Sequence, residues 1–238
     1  LSPVLDDLST TLNDQQVFDA SQLEETVSIA LSPHVNAFLA GELFSTLREE
    51  APGLRLHLSG WNEKSLADLL KGELHLGVNL EVERTPKEIM TQQLAEDRFT
   101  LYVREDHPLT KIDRELAPDD FDGCEIAALL IPDWNTRASN MERFLRAGGY
   151  RTRTVFRSDI PGAITDNVRN SDMVYPASSF MAPGDLRGLR QLAVRVNSEH
   201  VRFPVNAHYH QKNRRNPLTL WLARRIGELL EKQPASGG

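Results

Sequence analysis

The stretch SLADLLKGELHLGV, residues 65–78, decides the fold. Three leucines recur at the i, i+3 and i+4 spacing that gives a helix one apolar face: Leu66, Leu69 and Leu70. Gly72 stands where such a helix ends, because glycine has no Cβ and adopts the left-handed turn of a helix end without a clash. The apolar run Leu74–Val78 then predicts a short buried strand.

A second apolar run precedes this helix. Leu54–Leu58 predicts a strand, and Asn62 is a suitable N-cap three residues before the helix. A strand, a capped helix and another strand form a βαβ unit with a parallel sheet. Such sheets bind ligands at the carboxyl ends of their strands. We therefore expect an α/β fold with a ligand site at that edge.

Composition narrows the class of protein. The 238 residues, 40% of them hydrophobic, suffice for one large or two small domains. The net charge of −7 argues against nucleic-acid binding by these residues, since phosphates require a basic surface. The single cysteine, Cys124, cannot form an internal disulfide.

The sequence predicts neither a membrane span nor a secretory signal, although a processed chain would also lack its signal. No apolar run approaches the roughly 20 residues that span a bilayer, so we expect no membrane contact. The acidic start, residues 1–7, lacks the basic region of a secretory signal. A cytoplasmic protein is the simplest expectation, and the start at Leu1 suggests a fragment.

Two similar runs of strands and helices follow one another. In the first, the β-rich run Thr26–Leu31 leads into Ser32-Pro33, a preferred N-cap and N1 pair. In the second, the strands are Glu125–Ile131 and Thr152–Phe156, and Ser158-Asp159-Ile160-Pro161 opens a helix. We also expect a strand at Met173–Tyr175 that Pro176 ends, and a helix that carries Met141, Phe144 and Leu145. The strand Val205–His210 and a helix capped at Asn216-Pro217 complete the chain.

These runs predict two lobes with a cleft between them, a natural small-molecule site. We expect residues 1–24 to be the end of a linker helix and a linker, and residues 233–238 to be a flexible tail. The first lobe would contain residues 25–100 and 205–232. The second lobe would contain residues 101–204. The chain would cross and return at a hinge of Thr100, Leu101, Tyr102, Pro204, Val205 and Asn206.

Four motifs in this order resemble a known family. They are Phe18–Ser21, Ala51–Gly53, Leu69–Val78 and His107–Leu109. Over residues 16–232 the chain resembles the effector-binding portion of LysR-type transcriptional regulators. The first and third motifs are similar to the nodulation-regulator and leucine-response (LeuO-like) branch. The sequence departs from the pattern at His75, where the family usually has Asp, and at Ala20, where the branch often has Pro.

The resemblance implies two Rossmann-like lobes joined by two crossover strands, as in type 2 periplasmic-binding proteins. It also implies a small co-inducer in the cleft, an N-terminal winged helix-turn-helix that binds DNA, and a linker helix that dimerises. Nothing here matches that DNA-binding domain, so DNA contact would occur only through the missing domain. A homodimer or homotetramer is expected, with the first strand and helix paired beside the helix opened at Ser158.

The two helix starts are the main candidates for effector binding. Ser32, Pro33 and His34 begin one helix, where free N–H groups and the helix dipole favour an anion. Ser158 and Asp159 occupy the matching position, so a carboxylate effector could be held between them. Ordinary N-caps, worth about 1 kcal/mol each, are the alternative. The charge of Asp159 would instead favour a neutral or cationic effector, or one that meets the N–H groups elsewhere.

Other candidates follow predicted strands. They are Gly60, Trp61, Asn62, Asn79 and Trp134. The two tryptophans would suit an aromatic effector by stacking, although packing between elements explains them as well. For Asn79, contact with the effector and packing between elements are likewise both open.

No catalytic, metal or cofactor site is expected. His208 and His210 share a strand face, but a third ligand at clear spacing is missing. Cys124 has no base near it in sequence, and the basic cluster at residues 212–215 is typical of a solvated loop. A glycine-rich phosphate loop and the common hydrolase motifs are absent.

The sequence therefore predicts a small-molecule-sensing regulatory domain of a LysR-type transcription factor. The first alternative is a secreted solute-binding protein of the same two-lobed fold. The second alternative is a small enzyme on this scaffold. An upstream helix-turn-helix would support the regulator, and an export signal would support the solute-binding protein.

Overall fold

The computed structural model of the chain describes residues 18–80, 82, 84–133, 147–149, 151–181, 184–194 and 202–232. Four predictions lie outside these residues: the linker helix before residue 18, the site candidate Trp134, the helix carrying Met141, Phe144 and Leu145, and the tail after residue 232. The described residues form two α/β halves that share one long strand.

The first half is built on three parallel strands. β1 (Thr26–Leu31) lies between β2 (Arg55–Gly60) and β3 (Leu76–Asn79) and is parallel to both. α1 (Pro33–Glu50) connects β1 to β2, and its buried residues recur every four positions from Val35 to Leu47. This spacing gives a helix one apolar face, which packs on the sheet.

The second connection confirms the opening motif. α2 (Ser65–Lys71) joins β2 to β3 and ends at Gly72, whose φ of 79° is left-handed as predicted. The strand after it begins two residues later than expected, at Leu76, because the N–H of Leu74 donates to the Asp68 carbonyl of the helix end. Asn62 is not the N-cap: its Oδ1 accepts from the Lys64 N–H, and this turn delays the helix, so Lys64 is the cap residue.

Two long antiparallel strands connect the halves. β4 (Ile89–Arg104) pairs with β9 (Arg202–His210), and β9 also pairs antiparallel with β3. The ladder carries a β-bulge: Gln93 faces Asn206 and Ala95 faces Val205, so Leu94 is an additional residue in β4. β4 pairs with β9 as far as Arg98 and with the second half beyond it.

The second half repeats the parallel arrangement. β5 (Glu125–Leu129) and β6 (Arg153–Ser158) are parallel, and α3 (Pro161–Arg169) follows β6. β7 (Tyr175–Ser178) and β8 (Leu189–Gln191) both pair antiparallel with β4. The strand predicted to end at Pro176 instead contains it, opposite Leu101, and continues to Ser178.

The last helix returns to the first half. α4 (Pro217–Glu231) begins at Asn216, whose side chain accepts a hydrogen bond from the Thr219 N–H and so caps the helix as predicted. Arg225 on α4 forms an ion pair with Glu50 at the end of α1, with Nε and Oε2 2.7 Å apart. The predicted two-lobed α/β class is confirmed by this topology.

Candidate functional site

The ends of the three parallel strands bring three predicted site residues to one edge of the first lobe. Ser32 follows β1, Trp61 follows β2, and Asn79 ends β3. The Ser32 N–H donates to the Val78 carbonyl at 2.9 Å, and the Trp61 N–H donates to the Leu31 carbonyl at 2.8 Å. Backbone pairing therefore fixes the spacing of these residues.

Ser32 is completely buried at the start of α1, and its hydroxyl has no hydrogen-bond partner. The prediction that this hydroxyl caps the helix is wrong, because the side chain makes no cap hydrogen bond. The helix begins instead with the Asn36 N–H donating to the Ser32 carbonyl at 2.8 Å, and with Pro33 at the first helical position. A buried hydroxyl without a partner is costly, and it is free to bind a ligand.

His34 extends the buried polar surface at this helix start. Its side chain is 2% exposed, and neither ring nitrogen has a hydrogen-bond partner. Nε2 lies 3.5 Å from Oδ2 of Asp97 on β4. Burial lowers the pKa of His34 to about 3, so the imidazole is neutral at physiological pH.

Asp97 joins this helix start to the second lobe. Its carboxylate accepts hydrogen bonds from Ser178 Oγ at 2.7 Å, from the Ser179 N–H at 2.9 Å and from Ser179 Oγ at 3.0 Å. Burial raises the pKa of Asp97 to about 7, although these hydrogen bonds act to lower it. Asp97 therefore gains or loses its proton near neutral pH.

Trp61 is held by packing within the first lobe. It is 2% exposed, and its ring centroid lies 5.3 Å from that of His208. The ring lies close over Gly77 on β3, where a Cβ would come within 2.3 Å of Trp61 Cζ3. Of the two interpretations left open by the sequence, these contacts favour packing between elements.

Two hydrogen bonds cross from this edge to the loop after β5. The Trp61 indole N–H donates to Asp133 Oδ2 at 2.8 Å. The Asn79 side-chain amide donates to the Pro132 carbonyl at 3.0 Å, while Asn79 Oδ1 accepts from the Leu80 N–H. Both donors belong to the first lobe and both acceptors to the second.

The matching helix start in the second lobe differs from the prediction. The N-cap residue of α3 is Ile160, and Pro161 takes the first helical position. No side chain forms a cap hydrogen bond at this helix start. Ser158 Oγ accepts from the Ile160 N–H at 3.1 Å, so this hydroxyl is already satisfied. Asp159 is exposed, and Ile160 is 61% exposed. Two additional residues separate Ser158 from the proline, which explains why Ser158 and Asp159 do not occupy the cap.

The other predicted residues lie at the rim or elsewhere. Gly60 and Asn62 are exposed, and Asn62 is bonded to its own turn. Trp134 lies outside the described residues. Thr100–Tyr102 of the predicted hinge pair with β7, and Pro204–Asn206 pair with β4 on the other side of the crossover.

The site residues that sequence reasoning missed are Asp97, Ser178, Ser179 and Asp133. Asp97 is spaced by even numbers of residues from the buried Leu101 and Val103 of β4, so a charge in this apolar series was the available signal. Ser178 ends the short strand β7 and Ser179 follows it, and Asp133 directly precedes Trp134 in the sequence. Their contacts join residues about eighty positions apart, which periodicity does not reveal.

The residues that the structure describes give no support to a metal site or to a nucleophilic catalytic site. No group of three or more metal-ligating side chains is present there. His208 is 1% exposed and contacts Trp61 and Thr91, and burial lowers its pKa to about 4. Burial raises the pKa of the Cys124 thiol, the opposite of an activated nucleophile.

One surface cavity, of about 400 Å³, lies away from these strand ends. Gly72, Leu74 and His75 line it on one side, and the start of α4 lines it on the other. These residues precede β3, whereas Asn79 is at the end of that strand, so the cavity and the buried polar edge lie at opposite ends of β3.

Two α/β lobes on shared crossover strands, with polar groups buried at the strand ends between them, define a bilobal ligand-binding domain. The chain belongs to the LysR substrate binding domain family, whose model matches residues 20–231. It is thus a regulatory, small-molecule-sensing domain of LysR-type transcriptional regulators, as predicted, and the match favours this function over a secreted solute-binding protein.

Solved structures share the fold at low sequence identity. A probable transcriptional regulator from Pseudomonas aeruginosa is 21% identical with a TM-score of 0.70, covering 95% of this chain and 72% of that one. The regulatory domain of MexT from Pseudomonas aeruginosa is 18% identical, with a TM-score of 0.71 over 87% and 98% of the two chains. The regulatory domain of MetR from N. meningitidis is 16% identical, with a TM-score of 0.66 over 88% and 96%. No curated protein matched the sequence.

Within the described ranges, every helix is too short or too polar to cross a lipid bilayer.

Proposed function

We propose that this domain binds a small carboxylate at the start of α1, between the lobes. The observation that carries the proposal is the Ser32 hydroxyl, which is fully buried at the start of an 18-residue helix and has no partner. The first N–H groups of a helix lack intrahelical partners and favour negative charge. A carboxylate would satisfy both the hydroxyl and these N–H groups.

The neighbouring groups are compatible with an anion. His34 presents unpartnered ring nitrogens and is neutral, so it can donate one hydrogen bond. Asp97 would repel a carboxylate only when ionised, and burial raises its pKa to about 7. The exposed Asp159 does not occupy the cap of α3, so its charge is no argument for a cationic effector.

The test is a thermal-shift screen with aliphatic and aromatic monocarboxylates. A binder raises the melting temperature by mass action. In Ser32→Ala we expect the rise with the best carboxylate to disappear. Ser158→Ala is the matched control, since it removes the corresponding hydroxyl of the second lobe, and it should retain the rise. An equal rise in wild type and Ser32→Ala would contradict the site.

We further propose that effector binding changes the arrangement of lobes and subunits, and that this change reaches DNA through an N-terminal helix-turn-helix outside this sequence. A ligand shifts such an equilibrium only by its difference in affinity between the states. The lobes are proposed as 25–100 with 205–232 and 101–204, supported by the change of partner strand along β4 at Arg98. We also propose a cytoplasmic location, as expected from the sequence, and membership of the nodulation-regulator and leucine-response branch, which the motifs Phe18–Ser21 and Leu69–Val78 support.

Self-association is proposed through α1 and the start of α3. Phe44 on α1 is 53% exposed, Val155 on β6 is 42% exposed, and Ile160 is 61% exposed. Large apolar side chains at the surface mark interaction sites when they cluster on neighbouring elements. We propose a homodimer in which α1 of one subunit packs beside α3 of the other.

A further inference from the structure

Two hydrogen bonds between the lobes lie at the end of β5, apart from those that Ser178 and Ser179 donate to Asp97. Asp133 Oδ2 accepts from the Trp61 indole N–H at 2.8 Å, and the Pro132 carbonyl accepts from the Asn79 amide at 3.0 Å. Two successive residues of the second lobe thus bind the ends of β2 and β3, the strands on either side of β1 in the first lobe. Because the strands fix the donors, the pair resists separation of the lobes at this point.

Both donors are fixed in orientation by their own lobe. The Trp61 ring lies against Gly77 and His208, which are paired across β3 and β9. Asn79 is fully buried, and its Oδ1 accepts from the Leu80 N–H, which leaves the amide nitrogen directed at Pro132. Donors fixed in advance lose little conformational entropy when they bind an acceptor.

The acceptor loop is strained. Asp133 has a φ of 63°, and it is the one non-glycine residue in the left-handed region among the residues that the structure describes. Residues other than glycine rarely adopt this conformation, which is least unfavourable for asparagine and aspartate but still costs free energy. Strain of this kind persists where surrounding contacts hold it, and it is concentrated at clamps and switches.

We propose that residues 131–133 are a latch that holds the two lobes closed when no effector is bound. The Asp133 carboxylate binds Trp61, and the Pro132 carbonyl binds Asn79. Opening breaks both hydrogen bonds and releases the strain at Asp133. The latch lies at the edge that would receive the effector, so its opening is a step of ligand entry. Only this last consequence rests on the proposed function.

The first experiment measures exchange of the Trp61 indole proton by ¹H–¹⁵N NMR in buffer without any carboxylate. The three tryptophans give separate indole signals, and Trp61→Phe identifies the one that is lost. We expect a protected indole proton in the wild type. In Asp133→Gly, which removes the carboxylate and permits the positive φ, exchange should be about fivefold faster or more. Asp106→Asn, an exposed acid of the second lobe, should leave it unchanged.

The second experiment measures the distance between the lobes. Spin labels are placed at the exposed positions Glu63 and Asp119 in a Cys124→Ser background, and labelled chains are diluted with unlabelled protein. We expect one short distance in the wild type, and a longer, broader distribution in Asp133→Gly with Asn79→Ser.

Each outcome decides the proposal. An indole proton that exchanges freely in the wild type overturns it, as does exchange that Asp133→Gly does not change. Faster exchange with an unchanged distance also overturns it, because the contact would then form without holding the lobes. Neither experiment contains an effector, so the carboxylate site and the latch fail separately.

Discussion

The helices that follow β1 and β6 begin in opposite surroundings, although both follow a parallel strand and have proline at the first helical position. At α1, Ser32 is completely buried and its hydroxyl has no partner. At α3, the Ser158 hydroxyl accepts from the Ile160 N–H, and Ile160 is 61% exposed. One start keeps an unsatisfied polar group inside the protein, and the other presents an apolar side chain at the surface.

This difference teaches that similar topology does not imply similar roles. Ser32 directly precedes its proline, whereas Ser158 is separated from Pro161 by two residues. Those two residues let the Ser158 side chain bond within its own turn. The first helix start thus retains the capacity to bind a ligand, and the second is better suited to contact another subunit.

The largest effect is expected where the first lobe is most tightly packed. In Gly77→Ala the new Cβ would come within 2.3 Å of Trp61 Cζ3. We expect a loss of about 1–3 kcal/mol in the free energy of unfolding, measured with urea. Gly162→Ala in α3, where a Cβ meets no atom within 4 Å, is the matched control and should not destabilise. Equal losses of unfolding free energy in both variants would show that the packing around Gly77 is no tighter than the packing around Gly162.

The next effect depends on pH. Asp97→Asn should lower the free energy of unfolding by about 1–3 kcal/mol near pH 5, because the amide puts two N–H donors where the protonated carboxyl has one O–H. The pKa of Asp97 is raised from 3.8 to about 7, so its stabilising contribution is complete below pH 3.8 and is lost as the pH rises to 7. The difference in unfolding free energy between wild type and variant should therefore narrow between about pH 4 and pH 7 and stay constant at higher pH.

Urea unfolding at several pH values checks this narrowing. The pKa of His34 is lowered from 6.5 to about 3, so its contribution is lost as the pH falls through that range. Both proteins contain His34, and to first order its effect cancels in the difference. A difference in unfolding free energy between wild type and Asp97→Asn that stays constant with pH would show that Asp97 is ionised over the whole measured range.

A smaller effect compares the two serines directly. Ser158→Ala removes the acceptor for the Ile160 N–H and should cost about 0.5–1 kcal/mol, as for a lost cap. Ser32→Ala removes a buried hydroxyl without a partner, so stability should stay within about 0.5 kcal/mol or increase. Melting curves without ligand measure both. If Ser32→Ala proved the more destabilising, its hydroxyl would have a partner in solution.

The smallest effect on stability is expected at the surface. Phe44→Asp and Ile160→Asp should change the unfolding free energy by less than about 0.5 kcal/mol, but should dissociate the proposed dimer. Light scattering after size-exclusion chromatography measures the mass. Leu220→Asp, at a 43% exposed position on α4, is the control and should leave the dimer intact. Dissociation by Leu220→Asp alone would place the interface on α4.

Local patterns predicted the elements of the fold well. The helix before Gly72 and the cap at Asn216 depend on residues within one or two turns, and both were found where the sequence placed them. Element boundaries were less accurate. Hydrogen bonds of the helix end delay β3, and the turn at Asn62 delays α2.

The site was only partly predictable. Ser32, Trp61 and Asn79 end parallel strands, so topology alone brought them together. Asp97 and Asp133 contact partners about seventy to eighty residues away. Their roles depend on the side of a strand that faces inward and on the closure of two lobes, and neither is encoded within a short window of sequence.

The bulge at Leu94 determines which charge enters the protein. Side chains alternate along a strand, so one additional residue reverses the face taken by every residue after it. With the bulge, Asp97 is fully buried and Arg98 is exposed. If Leu94 instead took a regular place in the ladder, Asp97 and Arg98 would exchange faces, directing a guanidinium towards the serines and His34 and a carboxylate outwards. A single inserted amino acid thus sets the polarity of the junction between the lobes.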